Sequence, residues 1–209
     1  MTARQLRAVI RSKTPLYQGF LQICKYDIDA EKHGGGVMHT SWEIMERGNS
    51  VAVLGHDPVR DEVVLGNEFR PGVMVRGEYP YRDNLVAGVI ENDESPLDAA
   101  VREMLEETGL VLSNPVLIHP GAYVSSGGTS EKMAIVYGTV DTSHAGGVHG
   151  NADEQEDILS VVLPTKVSST ACAAVTSTIS RRSSPVTGSP NATLPRRTNL
   201  GRELGKQRK

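Results

Sequence analysis

The stretch from Gly88 to Leu110, GVIENDESPLDAAVREMLEETGL, constrains this chain more than any other. Three of its carboxylates, on Glu103, Glu106 and Glu107, are three and four residues apart, which places them on one side of an α-helix. Like charges at this spacing destabilise a helix slightly, so the pattern makes physical sense if a cation binds there. A solvated acidic face is the alternative interpretation, but it does not explain why a glycine stands at each end of the segment.

The residues around these glutamates predict where the helix begins and ends. Ser95 is a good N-cap, Pro96 suits the first turn, Asp98 lies where a capping-box acid reaches back, and Gly109 is a natural C-terminal stop. An apolar stripe is predicted between the caps, comprising Leu97, Ala100, Val101, Met104 and Leu105. We therefore expect the helix to bury this stripe and to present its glutamates on the opposite side.

The chemistry of the acidic side favours a hard cation. Mg²⁺, with Mn²⁺ as a second candidate, binds a few carboxylates and leaves its other positions to water and substrate phosphates. Arg102 lies four residues before Glu106, close enough on a helix to hold that carboxylate in place. The sequence therefore predicts a magnesium site on this helix.

The same segment resembles the signature of the Nudix hydrolases. The fixed positions of that signature are all filled, by Gly88, Glu94, Arg102, Glu103, Met104, Glu106, Glu107, Gly109 and Leu110. The resemblance implies Mg²⁺-dependent hydrolysis of a nucleoside diphosphate linked to another group. It also implies a fold of the α+β class, a Nudix-type α/β/α sandwich with a mixed sheet.

Alternating and apolar runs predict strands on both sides of the helix, near 17–26, 40–45, 51–54, 62–65, 85–87, 116–118, 133–138 and 157–163. We divide the chain accordingly. Residues 1–48 are expected to form a small antiparallel N-terminal hairpin or sheet, and 49–164 the catalytic domain. The remaining residues, 165–209, form a separate tail.

The tail from 165 to 209 differs in composition from the rest of the chain. It is rich in Ser, Thr, Pro and basic residues, has no aromatic residue and shows no apolar stripe. Such a segment buries little surface against its ordering entropy, so we predict disorder. A shift of reading frame near residue 165 is one hypothesis for its composition. A nucleic-acid-binding tail is the weaker alternative, because no aromatic side chain is present to stack on bases.

Charge and cysteine usage agree with a soluble enzyme that acts on a small molecule. The net charge is −3 and the sequence pI about 6.1, so no nucleic-acid partner is expected. Cys24 and Cys172 lie far apart without metal-ligand spacing, and we interpret them as free thiols of a reducing compartment. We expect no membrane segment, because no apolar run approaches the length of a membrane span. A cytoplasmic location follows.

Within this family, the segments 46–50, 57–65, 68–70, 126–131 and 147–157 are similar to those of bacterial ADP-ribose pyrophosphatases, and the resemblance covers roughly residues 16–164. That resemblance implies cleavage of ADP-ribose to AMP and ribose 5-phosphate by a homodimer, in which the N-terminal sheet of one subunit contributes to the partner's site. It also implies that Glu103 and Glu107 are the principal metal ligands and that Glu106 binds one ion or bridges two. The carbonyl of Ala87 supplies a further oxygen.

The resemblance assigns the remaining roles to three other segments and to one helix residue. Glu154 is expected to be the general base and Glu156 a metal contact, although the reverse order stays open. Arg102 belongs with them in the catalytic set. Arg70 is expected to bind phosphate or the terminal ribose, and Ser126, Gly127 and Gly128 either approach the diphosphate or form only a hairpin turn. The full set of expected substrate contacts is Arg47, Arg70, Ser126, Gly127, Gly128 and Glu131.

Two alternatives to ADP-ribose hydrolysis stay open at this point. Another nucleoside diphosphate sugar, such as GDP-mannose or UDP-glucose, is a second substrate class, because the base-recognition loops are not identified by the sequence. A non-catalytic ADP-ribose sensor is a different class of protein. The intact set of Glu103, Glu106 and Glu107 argues against a sensor, which has no need of a complete hydrolytic set.

Overall fold

A computed structural model describes residues 5–166. The tail was predicted to be disordered, and its residues from 167 onward lie outside this range. The strands are β1 Ala8–Gln18, β2 Gln22–Glu31, β3 Val37–Glu46, β4 Ser50–Asp57, β5 Glu62–Phe69, β6 Tyr81–Asn84, β7 Val86–Val89, β8 Ser113–Tyr123, β9 Lys132–Thr139, β10 Val148–His149 and β11 Ile158–Pro164. The α-helices are α1 Pro71–Met74 and α2 Pro96–Thr108, and short 3₁₀ helices span Thr142–His144 and Ala152–Glu154. Within residues 5–166, no helix is long and apolar enough to span a membrane.

The larger sheet has the strand order β10-β11-β5-β4-β9-β8, with β6 beside β5 and β7 beside β4. Strands β4 and β9 are parallel and the other pairs are antiparallel, so the sheet is mixed. Helix α2 packs on this sheet, and the buried core between them is formed by Val51, Val53, Val64, Val86, Ala99, Ala100, Met104, Leu110, Leu112, Ala134, Val136 and Val140. The predicted α+β class with a mixed sheet is confirmed.

Helix α2 begins and ends as the sequence predicts. The Ser95 hydroxyl accepts a hydrogen bond from the Asp98 amide, Pro96 occupies the first turn, and Gly109 terminates the helix at φ 70°. Asp98 does not reach back to the Ser95 amide. Its shorter carboxylate accepts a hydrogen bond from the Ser95 hydroxyl at 2.6 Å instead.

The expected burial of α2 is wrong in part. Val101 and Leu105 are exposed, whereas Glu103 and Glu107 are buried at 8% and 3% exposure. The helix lies on the sheet through its smaller residues and Met104, which rotates the buried face away from the predicted stripe and toward the glutamates. Hydrophobic periodicity misplaced this face because it counts only apolar residues as buried.

An N-terminal antiparallel sheet of three strands, in the order β1-β2-β3, is confirmed and is larger than the predicted hairpin. The glycine turn lies between β2 and β3, where Gly35 and Gly36 have positive φ. The additional strand is β1, which alternation did not reveal because register shifts interrupt its pairing with β2. The end of β3 joins the larger domain through a bridge between Met45 and Thr129.

The orientation of α2 can be tested by truncating two neighbouring residues. Met104 is completely buried, so Met104→Ala should lower the free energy of unfolding by about 2–5 kcal/mol through the cavity it leaves. Leu105 is 52% exposed, so Leu105→Ala should cost well under half as much. Urea unfolding of both variants measures the difference. Equal losses would contradict the observed face of the helix.

Candidate active site

The two buried carboxylates of α2 lie directly above glycines of the sheet. A Cβ atom placed on Gly88 would be 1.7 Å from Oε1 of Glu103, so any larger residue would displace this carboxylate. A Cβ on Gly66 of β5 would be 3.5 Å from Oε2 of Glu107, which is ordinary contact. The glycine that opens the signature therefore leaves room for the Glu103 carboxylate, which was not evident from the sequence.

Arg102 connects the helix to the loop that precedes it. Its guanidinium donates two hydrogen bonds to the Glu94 carboxylate, both at 2.9 Å, and one to the Val89 carbonyl at 3.1 Å. The same group contacts Glu103 at 2.8 Å and Glu106 at 3.1 Å. The predicted contact with Glu106 is present, and the hydrogen bonds of Arg102 are those of a residue that positions carboxylates.

The electrostatic environment of the cluster differs between its members. Burial raises the pKa of Glu103, while the adjacent Arg102 acts in the opposite direction. Burial, together with the negative charges of Glu68, Glu103 and Glu156, raises the pKa of Glu107 to about 8. The backbone of Ala87 lowers this pKa by hydrogen bonding to the Glu107 carboxyl, which places Ala87 beside the cluster.

The loop before β11 brings one of its two candidate glutamates to the cluster. The negative charge of Glu156 raises the pKa of Glu68, Glu103 and Glu107, so its carboxylate lies close to all three. Its Oε2 atom accepts a hydrogen bond from the Asn151 amide at 3.0 Å. Glu154 is exposed at the end of a 3₁₀ helix, where Oε1 accepts a hydrogen bond from the Asn151 side chain at 3.2 Å.

Arg70 and Glu68 bring a second segment to the site. The two side chains form an ion pair at the end of β5, and the charge of Glu68 acts on Glu107. The sequence alone assigns no role to Glu68. Alternation along β5 was the available signal, because it places Glu68 on the same face as Gly66, beneath Glu107.

The other predicted substrate residues lie together near the junction with the N-terminal sheet. Arg47 approaches Glu131 at 3.7 Å, and the buried Glu131 accepts a hydrogen bond from the Ser50 hydroxyl at 2.7 Å. Ser126, Gly127 and Gly128 form an exposed turn, in which the Gly128 amide donates to the Ser125 carbonyl. The Gly128 carbonyl of this turn accepts a hydrogen bond from the Met45 amide of β3, so the turn joins the N-terminal sheet to the larger domain.

The donor set fits a divalent cation, although residues 5–166 do not hold three such side chains already closed around one point. All the groups are oxygen ligands of the type that hard cations prefer. Two of them, Glu103 and Glu107, are buried, and a buried carboxylate without a counter-charge is costly. A cation would supply the positive charge that Glu107 lacks and that Arg102 provides for Glu103.

Comparison with known proteins agrees with this geometry. A model of the NUDIX domain matches residues 49–166. The chain is 42% identical over 152 residues to an ADP-ribose pyrophosphatase of Escherichia coli (strain K12), covering 71% of each chain. It is 30% identical over 141 residues to a GDP-mannose pyrophosphatase of Pectobacterium atrosepticum, covering 67% of this chain and 72% of the other. A solved structure described as an ADP compounds hydrolase superposes with a TM-score of 0.61 at 21% identity, over 82% of this chain and 86% of that one.

The fold and the carboxylate cluster define a hydrolase that uses a divalent metal. The chain belongs to the NUDIX family, whose domain model matches more than half of it.

The environment of Glu107 predicts an unusual pH dependence of stability in the metal-free protein. Its pKa is raised from 4.5 to about 8, so between these values the native state keeps a proton that the unfolded state has released. Stability should therefore fall as pH rises through this window. Glu107→Gln removes the ionisable group, so in EDTA the variant should gain stability over the wild type between pH 5 and pH 8. Urea unfolding at both pH values measures this, and an unchanged difference would contradict it.

Proposed function

We propose that this chain hydrolyses the diphosphate of ADP-ribose to AMP and ribose 5-phosphate, with Mg²⁺ as the physiological cation and Mn²⁺ as a substitute. The observation that carries the proposal is the pair of buried carboxylates, Glu103 and Glu107, on a NUDIX signature helix. The ADP-ribose pyrophosphatases at 42% identity support the choice of substrate.

The cation would be held by residues of α2 and the segments around it. Glu103 and Glu107 would be the principal ligands, with Glu106, the carbonyl of Ala87 and the carboxylate of Glu156 as further ligands. A divalent cation held there would neutralise the diphosphate and acidify a coordinated water. Arg102 keeps the carboxylates in place, as its hydrogen bonds to Glu103 and Glu106 suggest.

Residues on other segments bind the substrate and deprotonate the attacking water. Glu154 takes a proton from the attacking water, whose oxygen then forms a bond to one phosphorus as the bridging P–O bond breaks. Arg70 binds phosphate or the terminal ribose, for which its planar guanidinium is suited. Further substrate contacts are proposed from Arg47, Glu131 and the backbone of Ser126, Gly127 and Gly128. The exposure of Glu154 is compatible with a base that meets its substrate in the complex.

GDP-mannose is the second candidate substrate, because a relative at 30% identity is a GDP-mannose pyrophosphatase. The diphosphate chemistry is the same for both substrates, and the distinction depends on recognition of the base. The higher identity to the ADP-ribose pyrophosphatases favours ADP-ribose. A non-catalytic sensor is disfavoured, because it would have no reason to keep Glu103 and Glu107 buried at the cost of their desolvation.

Turnover of a substrate panel tests the proposed reaction. With Mg²⁺, we expect kcat/KM for ADP-ribose to exceed that for GDP-mannose and UDP-glucose, with AMP and ribose 5-phosphate as products by chromatography. Glu107→Gln should lower kcat by more than about 100-fold, since partners of metal ligands alone are worth about 10- to 100-fold.

The control for this variant is Glu78→Gln. Glu78 is an exposed carboxylate paired with Arg82 at 2.9 Å, so its substitution removes the same charge without touching the cluster. Near-normal kcat in Glu107→Gln would remove Glu107 from the metal site. Binding of ADP-ribose without turnover by the wild type would favour the sensor.

We further propose that the chain works as a homodimer formed through its N-terminal sheet, in the cytoplasm. One face of that sheet is apolar, because the residues paired across it include Ile10 with Ile28 and Tyr26 with Trp42. Trp42 is 51% exposed in the single chain, and a second copy could cover it. The free thiol of Cys24 is compatible with a reducing compartment.

The two faces of this sheet provide a test of dimerisation. Trp42→Glu introduces a charge on the apolar face and should shift the protein from dimer to monomer in sedimentation velocity experiments. Val37→Glu is the control, because Val37 is paired with Glu31 on the opposite, polar face and has a similar exposure. A wild type that sediments as a monomer, or two variants with the same association, would contradict the proposed interface.

A further inference from the structure

Strand β5 presents a carboxylate next to the buried end of Glu107. Gly66 and Glu68 are two residues apart, so they project to the same face of the sheet, about 7 Å from each other along the strand. Above Gly66 lie Ile158 and the Glu107 carboxylate, whose nearest atoms, Cγ2 and Oε2, are 3.0 Å and 3.5 Å from the position of a Cβ on this glycine. Glu68 is therefore the next side chain along the same face. Its negative charge raises the pKa of Glu107, in agreement with this proximity.

A buried hydroxyl on the neighbouring strand points to the same place. Ser160 of β11 pairs with Gly66, and residues directly opposite each other on antiparallel strands project to the same face. Ser160 is 6% exposed, and its Oγ atom has no hydrogen-bond partner within the described residues. Buried hydroxyls are almost always hydrogen-bonded, so an unpaired one beside Glu107 indicates a polar ligand such as the water of a hydrated cation.

Glu68 also contacts the arginine that is expected to bind substrate. Its side chain is only 17% exposed and forms an ion pair with Arg70 through one of its two oxygens, Oε1. The same carboxylate carries a second oxygen, and an ionised carboxylate accepts several contacts at once. Arg70 therefore need not dissociate from Glu68 when a cation binds nearby.

We propose that Glu68 is a further carboxylate of the cation site, which contributes an oxygen to the divalent cation, directly or through a water, while it holds Arg70. This inference depends on the proposed metal-dependent hydrolysis. It adds a ligand from β5 to those supplied by α2 and by the loop before β11. The cation site and the substrate arginine are thereby joined through one side chain.

Cation binding without substrate tests this role. Mn²⁺ is titrated into the full-length protein and its affinity is measured by electron paramagnetic resonance of the free ion. We expect Glu68→Gln to weaken Mn²⁺ binding by about 10-fold, the lower end of the range for groups that support metal ligands. Asp141→Asn removes an equal charge from another arginine ion pair, Asp141 with Arg60 at 2.9 Å, and should leave the affinity within about 2-fold of the wild type.

Three results would contradict the proposal. Unchanged Mn²⁺ affinity in Glu68→Gln, together with a higher KM for ADP-ribose, would overturn it and leave Glu68 as a partner of Arg70 alone. Equal weakening in Asp141→Asn would also overturn it, because net charge would then explain the effect. If the wild type itself bound no Mn²⁺, the proposed metal-dependent function would fail, and the assignment of Glu68 would fail with it. The melting temperature of Glu68→Gln in EDTA should match or exceed that of the wild type, which verifies that the variant folds.

Discussion

The burial of two carboxylates between a helix and a sheet is the constraint on which this structure depends. Glu103 and Glu107 are held against β7 and β5, and a Cβ on Gly88 would displace the Glu103 carboxylate, whereas Glu107 lies in ordinary contact range of the Cβ position of Gly66. Burying a carboxylate is unfavourable unless a counter-charge or hydrogen bonds compensate for the lost water. The fold therefore accepts a local cost at the site where a cation is proposed to bind, and the apolar core around Met104 offsets it.

Positive charge that compensates for the buried carboxylates is distributed unevenly between the two sides of the cluster. Arg102 joins Glu94, Glu103 and Glu106 into one network, which ties the helix to the loop that precedes it. The main influences on the pKa of Glu107 are burial and three neighbouring carboxylates, and the pKa is raised to about 8. An arginine thus neutralises one side of the cluster, while the other side keeps its demand for positive charge. A divalent cation meets that demand better than a proton, because it binds several carboxylates at once.

The N-terminal sheet is tied to the larger domain at one point, which also gathers the predicted substrate residues. Met45 exchanges backbone hydrogen bonds with Gly128 and Ser130, and the Arg47–Glu131 pair lies beside them. The sequence allowed two interpretations of Ser126–Gly128, a turn alone or a segment that approaches the diphosphate, and the structure contains a turn there. The turn fastens β3 in place, and a role in contacting the diphosphate stays a prediction.

The sequence by itself determined the elements whose signals are local. The caps Ser95 and Gly109 set the bounds of α2, and the spacing of its glutamates placed them on one side, since both depend only on neighbours along the chain. Only the tertiary structure decided which side of α2 is buried, because this depends on how the helix packs on the sheet, where Gly88 leaves room for the Glu103 carboxylate. It also decided that Glu68 faces Glu107 and that Glu156, rather than Glu154, lies with the cluster. These residues are distant in sequence, and strand pairing, which no local pattern specifies, brings them together.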